Sequence, residues 1–227
     1  ERAQEIMGSC FTSLVAAAVV LTAAFWLWGE PLLWIFGCSE ETIIYALPYM
    51  RIYSSGSFFV MMAVGMNLFV TTQGFTSFSM RTVLIGAICN IILDPIFIYV
   101  LGLGVQGAAL ATVISQAVSG LWVLWFLTGK TTRLRLQRRY LRPKLEIMLP
   151  VLALGLAPFI MQATEALLNI SFNSSLQRYG GDLAVGAMTV ASTVMQIVWI
   201  PTQGLGQPSQ PIISYNYGDR NPDRLRA

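Results

Sequence analysis

An all-α polytopic membrane protein is predicted by three observations: a scarcity of charge, long charge-free runs, and a clustering of the basic residues. Only 11% of the 227 residues are charged and 55% are hydrophobic, against about 25% charged in a soluble domain. No charged side chain occurs from Ile6 to Gly29, from Ile52 to Met80, from Pro95 to Gly129 or from Leu183 to Gly218. Each run reaches the ~20 residues that cross ~30 Å of hydrocarbon as a helix. Such runs cannot all be buried core helices of a soluble fold. Two shorter runs, Thr82 to Leu93 and Ile147 to Thr164, become spans only if Asp94 and Glu165 are admitted to the bilayer.

Six spans follow, at 9–28, 52–72, 82–101, 107–128, 147–175 and 183–205. The first two come directly from the charge-free runs. The third and fourth are separated at Gly102-Leu-Gly-Val-Gln-Gly107, where glycine disfavours helix and favours a turn. The fifth carries Glu165 and the sixth opens the charge-free run that begins at Leu183. Between the first two spans, Pro31 to Met50 is apolar in Leu32-Leu-Trp-Ile-Phe36 and acidic at Glu30, Glu40 and Glu41. That pattern suits a short helix lying along the outer interface.

Orientation is read from the lysines and arginines, which accumulate in short cytoplasmic loops. Lys130, Arg133, Arg135, Arg138, Arg139, Arg142 and Lys144 all fall in one loop. Placing it inside also places Arg2, Arg81, Arg220, Arg224 and Arg226 inside, and leaves Arg51 and Arg178 outside. Both ends of the chain are then cytoplasmic. The loop serves as a topology signal, and it has no aromatic interleaving of the kind that would point to nucleic acid.

Several chemistries are excluded. There is no histidine, so triads, zinc motifs and proton relays built on that residue are absent. Cys10, Cys38 and Cys89 show no repeated spacing, and neither a disulfide framework nor a metal site is indicated. No phosphate-binding glycine loop occurs. A sequence that opens on Glu1 and closes on a charged stretch is expected to be a fragment.

Two acids at membrane depth stand out. Asn90 and Asp94 lie four apart, near the middle of the third span, and so share a helix face. Pro95 lacks the N–H that would bond the Ile91 carbonyl, leaving a free carbonyl beside two oxygen-bearing side chains. Such oxygens suit a small hard cation, and a carboxylate withdrawn from water can also carry a proton. The structural alternative is that Asp94 caps a new helix with Pro95 at its first position. In the fifth span, Glu165 shares a stripe with Pro158, Gln162, Asn169 and Asn173, which must face helices or water; interhelical hydrogen bonding is its structural alternative. Proline and amide residues from Pro201 to Pro211 predict kinks or close helix approach. Methionines 61, 62, 66, 161, 188 and 195 suit either an adaptable apolar surface or ordinary filler.

With these residues in view, the chain resembles multidrug and toxic compound extrusion (MATE) transporters of the DinF-like and MepA-like bacterial branch. The resemblance lies in Glu1-Arg-Ala-Gln-Glu-Ile-Met-Gly8, Gly65-Met-Asn-Leu-Phe69 with Gln73-Gly74, Asn90-Ile-Ile-Leu-Asp-Pro-Ile-Phe97, Gly104 to Gln116, Tyr179-Gly-Gly181 and Pro211 to Gly218. It implies a twelve-helix fold of two lobes, of which this chain holds helices three to eight. Residues 1–129 would finish the first lobe, 130–146 would join the lobes and 147–227 would open the second. Asp223-Arg224 after Tyr217-Gly218 echoes Glu1-Arg2 about one lobe earlier.

The resemblance also implies function: export of organic, often cationic, compounds in exchange for Na+ or H+, with no other cofactor. Asn90, Asp94 and Thr112 would bind the coupling ion, Na+ being one candidate. Gln162, Glu165 and Asn169 would line the substrate cavity or a second-lobe cation site. Thr71 departs from the family, where many members carry arginine. Expected surroundings are the bacterial inner membrane, small organic substrates, the lipid bilayer and no nucleic acid, with the full-length protein a monomer. A lipid-linked sugar flippase, an intramembrane enzyme using Asp94 and Glu165, and a purely structural or channel-like subunit are the alternatives.

Overall fold

The computed structural model describes residues 2–130 and 132–218 of the chain, and among them it is helical with no strand. Arg220, Arg224, Arg226 and the Asp223-Arg224 echo lie outside the described residues. The elements are α1 (Arg2–Ile35), α2 (Glu40–Ser55), α3 (Ser57–Thr72), α4 (Thr76–Val100), α5 (Gly104–Thr128) and α6 (Leu145–Gly218). A short 3-10 turn at Arg138–Tyr140 lies between α5 and α6. The chain divides into two compact units, Glu1–Ser174 and Ser175–Ala227.

Observed helices and predicted spans divide the chain differently: the fifth and sixth predicted spans both fall within α6, α2 lies almost wholly outside the predicted spans, and the ends differ throughout. The first helix outruns its charge-free run, continuing past Trp28, where the backbone leaves helical values (φ −116°, ψ 15°), and through Pro31 to Ile35. The expected interfacial helix at 31–50 is therefore corrected. Its first residues finish α1, and the rest form α2, whose start is set by a reciprocal capping box between Ser39 and Thr42. A capping box satisfies two orphan donors at once, which explains why the helix begins there rather than at Pro31. Helices α2 and α3 meet at a 54° bend and together are long and apolar enough for a broken span or a re-entrant loop.

Helix α4 starts at Thr76, six residues ahead of the expected boundary, because Arg81 is accommodated near its end. Gly102 and Gly104 both have positive φ (66° and 53°), and this supplies the predicted hairpin to α5. In α6 the stretch Leu145–Thr202 is 58 residues long, more than twice a single span. Its one non-helical residue is Gly181 (φ 65°, ψ −167°). The loop expected at 176–182 is thus reduced to a break at one glycine. From Pro201 to Pro211 the backbone is assigned as helix, and the assignment continues through Gly218.

Within the first unit, α4 and α5 are the most extensively packed pair, and α5 also packs on α2 and α3. A core of Met7, Met62, Met66, Val70, Val123, Phe126 and Leu127 joins α1, α3 and α5 near one end. Met62 and Met66 are fully buried there, whereas Met161 and Met195 are exposed. Met62 and Met66 thus fill this core, as flexible thioethers commonly do.

Small residues set the helix spacing. A Cβ on Gly107 would stand 2.6 Å from the Phe97 carbonyl oxygen, and that obstacle is backbone, which cannot swing aside. Gly107→Val should therefore destabilise the protein by about 1–3 kcal/mol, read as a lowered thermal midpoint in detergent. A midpoint equal to wild type would show that α5 and the end of α4 are not in close approach.

Candidate functional site

Asn90, Asp94 and Thr112 converge. The Asn90 amide nitrogen lies 3.3 Å from Asp94 Oδ1 along α4 and 3.5 Å from Thr112 Oγ1 across on α5. Thr112 donates its own hydroxyl proton to the Ala108 carbonyl, 2.9 Å away. With that proton committed, the Thr112 oxygen can only accept, and an ionised Asp94 can only accept as well. Two acceptors on one side dictate that Asn90 turns its nitrogen toward them. Both contacts are long for hydrogen bonds, so the amide is held loosely and can exchange ends.

The helix through Asp94 is continuous from Thr76, which disposes of the alternative in which Asp94 caps a helix begun by Pro95. Pro95 has no N–H for the Ile91 carbonyl, and the Ile96 N–H bonds Leu93 instead. From Ile96 to Val100 the backbone widens into a π-helical turn, a distortion frequent at functional sites. Along α4, Asp94 stands about 9 Å from the Val100 end and about 27 Å from Thr76, at 1.5 Å per residue.

Beside Asn90 and Thr112 is a cavity of about 280 Å³ between α3, α4 and α5. Its polar lining is Thr82, Asn90, Thr112, Ser115, Gln116 and Ser119, and its α3 wall is Ala63 and Val64 from the π-helical turn Met62–Met66. The hydroxyls of Thr82, Ser115 and Ser119 donate to the carbonyls of Phe78, Ala111 and Thr82 at 3.1, 2.7 and 3.1 Å. What these groups leave facing the cavity is lone pairs. Such a lining attracts water or a cation rather than an anion.

Sequence reasoning missed most of this wall, because serine and threonine at helical spacing carry no signal apart from ordinary back-bonding. It also passed over the aromatic pair of α2, Tyr49 and Tyr53. Tyr49 stacks on Tyr53 at 6.0 Å between ring centres. A pair of aromatic residues one turn apart reads in sequence as packing alone.

The second group is not drawn into this site. Gln162, Glu165 and Asn169 lie on α6, all exposed, with no hydrogen bond or ion pair among the described residues. Their spacing does form one helical stripe. No group of three or more His, Cys, Asp or Glu suited to a metal occurs among the described residues, so the donor set around Asp94 is one carboxylate, one amide and hydroxyls.

A polar site of two helices beside an acceptor-lined cavity, in a multi-span helical chain, has the anatomy of a membrane transporter. The chain belongs to the MatE family, whose family model, described as MatE, matches residues 1–96 and 158–227. It is 29% identical over 211 residues to the multidrug export protein MepA of Staphylococcus haemolyticus, covering 92% of this chain and 46% of that protein. MepA of Staphylococcus saprophyticus subsp. saprophyticus is 26% identical over 209 residues, with the same coverage of each chain. Among solved structures, the MATE multidrug transporter DinF-BH, in a complex with a small organic substrate, is 35% identical, with a TM-score of 0.92 over 100% of this chain and 51% of that one. A transporter of the MOP superfamily from Pyrococcus furiosus, described as having a binding pocket of reverse polarity that suggests a different function, is 27% identical with a TM-score of 0.86, over 100% of this chain and 50% of that one. The chain spans about half the length of the curated relatives it matches. Members of this family are transporters, which sets the intramembrane-enzyme alternative aside.

Thr112→Val removes the hydroxyl while the Ala108 carbonyl keeps its helical N–H. Stability should change by less than about 1 kcal/mol in a thermal melt. A loss of several kcal/mol would mean that the hydroxyl is structural rather than free to accept from a ligand.

Proposed function

We propose that this chain is part of a secondary active antiporter of the inner membrane that exports organic, often cationic, compounds in exchange for Na+ or H+. The observation that carries the reading is the convergence of Asn90, Asp94 and Thr112 beside a cavity lined by acceptor oxygens. The multidrug export assigned to the MepA relatives and the small organic substrate bound to DinF-BH support the substrate class.

Asp94 is the coupling group. When it is ionised, a monovalent cation replaces the Asn90 amide hydrogens at the carboxylate, and the amide rotates to present its oxygen. Thr112 already presents lone pairs and need not move. A proton on Asp94 has the same electrostatic effect, since either occupant removes the negative charge that favours a cationic compound. Ion and substrate then stabilise different states of the protein, and each lowers the other's affinity. Gln162, Glu165 and Asn169 supply polar contacts for the substrate or a second cation on the other lobe. The basic segment faces the cytoplasm, both ends of the chain lie on that side, and the complete protein acts as a monomer.

Coupling is tested in everted vesicles containing the full-length protein. Asp94→Asn should abolish dye efflux driven by a Na+ or pH gradient at normal expression, and Asn90→Leu should weaken it about tenfold or more. Retained gradient-driven efflux in Asp94→Asn would remove Asp94 from the mechanism. Applying each gradient alone identifies the ion.

The Pyrococcus furiosus relative raises a second reading, a substrate of opposite charge, such as a lipid-linked sugar carried by a flippase. Cationic and anionic dyes compared in the same vesicles decide between them, and efflux confined to anionic dyes favours the second.

A further inference from the structure

The segment from Lys130 to Lys144 reads in sequence as a basic tether, yet its backbone is fastened to the first unit along its length. The fastening begins at Gln73, in the turn between α3 and α4. Gln73 Oε1 accepts from the Leu134 backbone N–H at 2.8 Å and from the Thr132 hydroxyl at 2.7 Å, while Gln73 Nε2 donates to the Phe69 carbonyl at 2.9 Å. That last bond anchors the amide to α3 and orients its oxygen outward. The Thr132 hydroxyl also lies 2.9 Å from the Leu134 carbonyl, so its one proton is shared and the Leu134 N–H is the firmer of the two donors.

The rest of the segment follows. Leu134 and Leu136 pack against the buried cluster of Met7, Met66, Val123 and their neighbours. The Leu136 N–H bonds the Leu127 carbonyl at 2.9 Å, and the Leu141 carbonyl accepts from Thr12. Lys144 pairs with Glu5 at 2.6 Å. At Tyr140 the backbone comes so close to α1 that a Cβ on Gly8 would overlap its carbonyl oxygen. Alternation of Leu and Arg from Arg133 to Leu136 places the apolar side chains inward, as an extended segment does with period two. A slack tether has no use for such a pattern.

We infer that Gln73 is a positioning residue that clasps the basic segment to the first unit, so that Lys130 to Lys144 is carried as part of that unit and does not flex independently. The Gln73 oxygen satisfies an N–H that, close to apolar surface, has no neighbouring carbonyl, and loss of a buried acceptor leaves such a donor unpaired. On the two-lobe reading proposed above, bending between lobes is confined to residues outside this segment. The clasp itself stands without that reading, because its test needs no transport.

Trypsin supplies the test, since Arg133 and Arg135 flank the clasped Leu134 and cleavage there requires local opening. Cleavage then tracks the population of the open form. In the full-length protein in detergent, Gln73→Leu should be cut after Arg133 and Arg135 about tenfold faster than wild type, as expected for losing two hydrogen bonds. Gln73→Glu keeps the acceptor but loses the donor to the Phe69 carbonyl, so its rate should fall between wild type and Gln73→Leu, and thermal midpoints measured alongside separate local opening from unfolding. Should Gln73→Leu fail to fold, Thr132→Ala, which removes one donor, should still raise cleavage several-fold. The inference is overturned if wild type is cut as fast as Gln73→Leu, if the substitutions that fold leave the rate unchanged, or if Gln73→Glu is as labile as Gln73→Leu.

Discussion

Hydrocarbon offers no partner to a polar hydrogen, so every donor within a span must find its acceptor inside the protein. Seven hydroxyls here meet that constraint in one recurring way, while the buried Ser9 hydroxyl has no partner among the described residues. Thr82, Thr112, Ser115, Thr164, Ser171, Thr189 and Thr193 each donate to the carbonyl four residues earlier. Elsewhere this is neutral housekeeping, or a slight weakening of the helix. Around the cavity it has a chemical result, because hydroxyl donors turned onto backbone carbonyls leave their lone pairs toward that space. The groups there that still offer both a donor and an acceptor end are the Asn90 and Gln116 amides. The two ends of the Asn90 amide offer opposite chemistry, and its two contacts are long enough to be exchanged.

The membrane class was legible because charge is expensive in a bilayer and its absence is therefore readable at single-residue resolution. Asn90 and Asp94 were legible for a related reason: four residues apart on a helix means one face, whatever the surroundings. Thr112 was not legible from spacing, since nothing local says that position 112 of one helix meets position 90 of another. It came from the resemblance, and the helix pairing that brings it within 3.5 Å of Asn90 depends on close approaches such as Gly107 against Phe97. Helix ends were the least legible feature. Hydropathy marks where a chain enters lipid, whereas α1 runs on past Trp28 and Pro31 to Ile35 and α2 is started by the Ser39 capping box, which are local backbone matters.

Distortions of the helices follow the same logic. A proline inside a span frees a carbonyl that neighbours must accommodate, and in α4 the consequence is displaced by a few residues, from Pro95 to the π-helical turn at Ile96–Val100. In α3 the π-helical turn Met62–Met66 occurs with no proline, and there Met62 and Met66 are driven into the core while Ala63 and Val64 are left at the cavity wall. A widened turn changes which faces successive residues present. Here it lets one short segment serve both the apolar cluster and the polar cavity.

Asp94 lies about 9 Å from the Val100 end of α4, beside Pro95 and the widened turn Ile96–Val100. The other end of α4, about 27 Å away, adjoins the turn where Gln73 holds the basic segment. Between the two, one cavity runs from Asn90 and Thr112 along α4 and α5 to Thr82 and Ser119. The polar side chains of these two helices therefore border a single space, so the group nearest Asp94 and the groups nearest the Gln73 turn are parts of one lining.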